Sequence, residues 1–72
     1  MTLSERVIFL QIDMMDYLME RWGKNTESFL ELDEKYGILR FLRIGYEPFH
    51  LTGEEGIAEE VERYVAEQGG VI

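Results

Sequence analysis

The stretch Ile38–Ile44, ILRFLRI, decides what kind of protein this is. A seven-residue apolar run does not choose between strand and helix by its period alone. Two features favour helix. Arg40 and Arg43 stand three apart, the spacing of neighbours on a helix surface. A lone strand here would also lack a partner, because the rest of the chain carries no strand signal. Read this way, the segment makes the whole chain all-α.

The flanks support the same reading. Upstream, Asn25 or Thr26 is a good N-cap, and Phe29, Leu32 and Tyr36 follow at helical spacing before Gly37 stops the segment. Further back, Thr2-Leu3-Ser4-Glu5 has the capping-box spacing, so a first helix should run from there to Trp22 and stop at Gly23. At ~100° per residue its apolar side chains, from Val7 and Ile8 through Met14, Met15, Leu18 and Met19 to Trp22, cover an arc of roughly 220°. That is too wide for one packing partner. The helix is therefore expected either to be central to the fold or to offer part of its face to another chain, and Phe9, which falls among the polar residues, favours the second.

Downstream, Tyr46–Glu55, YEPFHLTGEE, holds the only proline and the only histidine. Pro48 biases Glu47 toward an extended conformation and is expected to break the helix, making a corner. Thr52 and Glu55 repeat the capping-box spacing and announce a last helix. Its apolar stripe is Ile57, Val61, Tyr64 and Val65, and it should end at Gly69. Gly56 in its first turns costs ~1 kcal/mol relative to alanine, which points to a close approach of another helix. The expected fold is one domain, residues 1–72: an all-α bundle of three to four helices with a Pro/Gly corner before the last helix.

Seventy-two residues bury only about 60% of the surface of the unfolded chain, so stability is thin. There is no cysteine to supply a disulfide or a thiolate metal site, which leaves oligomerisation or a partner as the compensating device. The formal net charge of −8 opposes nucleic acid and anionic membrane surfaces. Residues 46–72 account for −6 of it. No apolar run approaches the ~18 residues of a membrane span, and Glu5 and Arg6 interrupt any secretory apolar segment, so the expected location is cytoplasmic.

Several constellations resemble chemical sites. Glu47 and His50 form a Glu-x-x-His spacing, but it occurs once where a carboxylate-bridged di-iron bundle needs it twice, and Pro48 sits between them. A structural histidine hydrogen-bonded to backbone is the expectation. Asp13, Asp16 and Glu20 share a face and read as the solvated side of the first helix. Ser4 and Ser28 sit at helix starts, where capping explains them, and no phosphate-binding glycine loop is present. Glu27–Gly45 imitates a helix-turn-helix, yet ILRFLRI offers almost no polar side chain to read bases. We therefore expect no enzyme, no cofactor, no metal and no nucleic-acid binding.

The runs EKYGILRFL, Glu34–Leu42, and GYEPFHLTGEEGIAEEVERYV, Gly45–Val65, together resemble a family of small bacterial proteins, domain-of-unknown-function family DUF3791. Lys35, Tyr36, Gly37, Tyr46, Phe49, His50 and Gly53 occupy the places of its pattern. The resemblance covers nearly the whole chain. The resemblance implies an antitoxin-like or accessory role, since members are often encoded beside an ADP-ribosyltransferase-like protein.

The functional expectation is a small non-enzymatic protein–protein interaction module. Its candidate interface joins the soft apolar Met15, Met19 and Trp22 to the acidic Glu59, Glu60 and Glu62, facing a basic partner. The alternative is a self-associating homodimer that buries its excess apolar arc on its twin.

Overall fold

A computed structural model describes residues 1–72. The chain is all-helical, with α1 at Leu3–Trp22, α2 at Thr26–Tyr36, α3 at Ile38–Ile44, α4 at Tyr46–Phe49 and α5 at Glu54–Glu67. The Thr2 hydroxyl accepts from the Glu5 amide while the Glu5 carboxylate accepts from the Thr2 amide, so α1 starts on the capping box its sequence announces. Asn25 and Ser28 form the equivalent pair for α2. Twenty residues at 1.5 Å make α1 about 30 Å long, which sets the 34 Å long dimension of the molecule.

ILRFLRI is helical, and a single residue joins it to α2. Gly37 lies at φ 69°, in the left-handed region, and is at once the C-cap of one helix and the N-cap of the next. A helix that starts this abruptly has no side chain at its own cap. Asp33 supplies the missing acceptor from the previous helix, its Oδ1 taking the Leu39 amide at 2.7 Å.

There are five helices rather than three to four because Pro48 does not break the chain. It is the third residue of α4, within the first turn, where backbone N–H groups have no intrahelical acceptor and the missing proline N–H removes nothing. Glu47 is accordingly helical and not extended. The interruption falls later, at His50–Gly53. Thr52 does not cap α5: its hydroxyl donates backward to the Pro48 carbonyl at 2.9 Å, and Gly53 is the N-cap, without a side-chain bond. Gly56 likewise meets no second helix. The nearest atom to a Cβ placed there is the Thr52 methyl, at 2.8 Å.

All five helices contribute to one core, from Met14 and Leu18 of α1 through Phe29, Ile38, Leu42 and Phe49 to Ile57, Ala58, Val61 and Val65 of α5. The central element is α3, which packs on all four others, while α1 packs chiefly on α2, α3 and α5. α1 is touched on several sides, as a central helix would be, and its wide apolar arc is nevertheless left partly open at Ile8, Phe9 and Ile12. The folded chain exposes 4795 Å², close to the ~4,700 Å² of a compact monomer of this mass. The molecule is thus closed as a single chain, with a surface to offer rather than a core to complete. No helix is long and apolar enough to cross a membrane.

Candidate functional site

The exposed side of α1 follows from its own period. Met14 and Leu18 point into the core, and residues about 100° away around the helix must leave it. Ile8, Phe9 and Ile12 are 51%, 50% and 50% exposed, and Met15 and Met19 are half-buried along the same side. Toward α3 the apolar surface continues over Leu3 and Ile44 into an open groove of about 530 Å³, with Arg43 and Glu47 at its rim. Along the other edge lies a shallow depression of about 290 Å³ lined by Asp13, Asp16, Tyr17, Glu20 and, from the first turn of α5, Glu54. None of these four carboxylates has a cation within ion-pair distance.

The residues expected to form the interface divide into two groups. Met15 and Met19 are half-buried, packing against the core while bordering the open side of α1, and Glu59 is exposed on α5. Trp22 and Glu62, by contrast, are engaged inside the molecule. The Trp22 indole stacks on Phe29 with centroids 6.2 Å apart, and its Nε1 donates to Glu62 Oε2 at 2.9 Å. Arg21 completes the set, its Nε and Nη2 donating to the same carboxylate at 2.8 and 3.1 Å. Glu60 pairs with Arg63 at 2.8 Å. The side chains of Arg21, Trp22 and Glu62 therefore clamp α1 to α5.

This clamp has a pH signature. The Arg21 guanidinium first, and the Trp22 N–H second, hold the Glu62 carboxyl below its ordinary value of 4.5, and the same contact raises Arg21. A depressed carboxylate contributes stability that is fully present above its unfolded value and is lost as the pH falls through the lower folded one. Glu62→Gln is expected to cost about 1 kcal/mol near neutrality, water screening a pair whose side chains are about a third exposed. The difference in melting temperature between the two proteins should close below pH 4.5. A constant difference across that window would show that the charge on Glu62 contributes nothing.

The family-pattern residues fall at two places. Gly37 joins α2 to α3 and sits beside the contact between α2 and α5, where the Tyr36 carbonyl accepts from the Tyr64 hydroxyl. The Tyr64 ring stacks on Phe41 at 4.1 Å, so both aromatic groups of the pair are fixed. Tyr46 and His50 stack on one another across α4 with centroids 4.9 Å apart, and Gly53 begins α5.

His50 makes no bond to backbone, against expectation. Its Nε2 lies 3.7 Å from Glu47 Oε2, and both side chains are open to solvent. The helical turn through Pro48 preserves the i, i+3 neighbourhood that a break would have destroyed. No third potential ligand joins the two. Arg40 and Arg43 are exposed and form no ion pair. Sequence reasoning missed two polar ties to α3: the Asp33 cap and the Gln11 amide, which donates to the Leu39 carbonyl at 2.7 Å. The Gln11 bond spans 28 positions and depends on the fold, while the Asp33 bond spans six, across a joint whose one-residue length no spacing rule announces.

Fold and surface together define a small all-α protein, closed around one apolar core, that keeps an apolar helix face and an unpaired acidic edge at its surface. The chain belongs to the family described as Protein of unknown function (DUF3791), whose model matches residues 8–68. No curated protein and no solved structure matches it.

Proposed function

We propose that this chain is a cytoplasmic, non-enzymatic protein–protein interaction module. The observation that carries the reading is the face of α1. Ile8, Phe9 and Ile12 stay half-exposed in a molecule whose core and total surface are those of a finished monomer. Apolar side chains contiguous on one helix face, bordered by charge, are the usual form of a docking surface. The net charge of −8 selects a client with a basic surface and steers its approach. An antitoxin-like or accessory role toward a toxin-like enzyme, implied by the family resemblance, is the specific form of this proposal.

A homodimer is the rival reading, favoured by the spacing of Ile8, Ile12, Met15 and Met19, which is that of a coiled-coil seam. Native mass spectrometry of the tagged protein, purified gently from its own host, separates the two. A second, different chain at fixed ratio is the expected result. A bare monomer overturns the interaction reading, and a homodimer that persists on dilution replaces it with self-assembly.

A further inference from the structure

We infer that the docking face is the Ile8–Ile12–Met15–Met19 seam of α1, and that its occupant is an amphipathic helix of another protein with lysine or arginine along one flank. This rests on the interaction reading above and names the site and the partner's chemistry. The seam has the 4-3-4 spacing that receives the apolar stripe of a second helix. It is supported from the core side, since Met14 and Leu18, about 100° around α1 from the seam, are fully buried and Met15 and Met19 themselves pack against the core. Ile8 and Ile12 offer half of their surface to an incoming side chain, and the methionines adapt to its shape.

Charge decides the occupant. Asp16 and Glu20 run beside the seam, and Asp13 and Glu54 join them in the adjoining depression. The nearest cation of α1's second half, Arg21, is already held by Glu62. The edge is therefore negative and uncompensated, and a long cationic side chain flanking an apolar stripe reaches it while its stem covers apolar surface. An antiparallel two-fold pairing of α1 with a second copy sets the acidic edge of one molecule against the same edge of its twin; a parallel pairing avoids that contact, and the sedimentation arm of the test below reads it.

The test is selection from a displayed library of 18-residue amphipathic helices with a fixed leucine stripe and randomised flanks, against the intact 72-residue protein. Enriched peptides are expected to carry lysine or arginine on one flank. Their affinity should fall by more than about tenfold for Ile12→Asp, which changes a half-exposed residue and should leave the melting temperature near that of the parent. The double variant Asp16→Lys, Glu20→Lys should shift enrichment toward acidic flanks. No enrichment, enrichment without charge preference, or affinities unchanged by Ile12→Asp would each overturn the inference. So would a dimer in sedimentation that Ile12→Asp converts to monomer, since the seam would then belong to a second copy. A client captured from the host that still binds the Ile12→Asp protein would sink this site while leaving the interaction reading intact.

Discussion

Leu42→Ala should lower the unfolding free energy by about 2–5 kcal/mol, whereas Ile44→Ala, two positions on, should change it by no more than about 0.5 kcal/mol. The contrast follows from the helical state of ILRFLRI. In a strand, residues two apart share a face, and the two substitutions would have similar effects. In α3 they lie ~200° apart around the axis. Leu42 is fully buried at the meeting of α3 with the other helices, so truncation leaves a cavity that its neighbours can fill only in part. Ile44 is 68% exposed and loses little transfer energy. Urea unfolding of the two variants, with equal slopes, checks this; comparable losses at both positions would contradict a helical α3.

Phe29→Ala should be more damaging, costing about 3–5 kcal/mol. Phe29 is fully buried, the only buried residue of α2, and its ring stacks on Trp22. Removing it leaves α2 held only by the partly buried Leu32 and Tyr36 and loosens the indole whose N–H binds Glu62. A chain of 72 residues has a margin of only about 4–11 kcal/mol, so the variant should approach or cross its unfolding midpoint at ordinary temperature. Circular dichroism measures the loss, and Phe29→Leu, which keeps the site apolar with less volume missing, should recover part of it. A cooperative transition at the parental midpoint in Phe29→Ala would show that α2 does not depend on this anchor.

Local signals made much of this fold legible. The Thr2–Glu5 box, the glycine stops at Gly23 and Gly37 and the lack of any strand signal locate the first three helices to within a residue. The region around Pro48 was misjudged because the cost of proline depends on its place in a helix, and four residues of helix leave no distance between start and interior. Thr52 matched a capping pattern, but its hydroxyl donates to the Pro48 carbonyl and accepts from no α5 amide, and Gly53 takes the N-cap place. The candidate surface was half visible. An apolar arc too wide for one partner did signal an open face, yet which methionine turns inward was not readable, and Met14 alone of the three is fully buried. Trp22 and Glu62 looked available because their mutual bond spans 40 positions of chain, a distance over which no spacing rule operates.

The joint at Gly37 fixes more than a direction. With one residue between α2 and α3, every added or deleted position there turns α3 by about 100°, carrying Leu42 out of the core and other side chains in. The length of that joint acts as a phase setting for the central helix, as binding on heredity as the identity of any core residue. Gains and losses of sequence have freedom instead at Gly23–Asn25 and at His50–Gly53, where non-helical residues absorb them without turning a packed face.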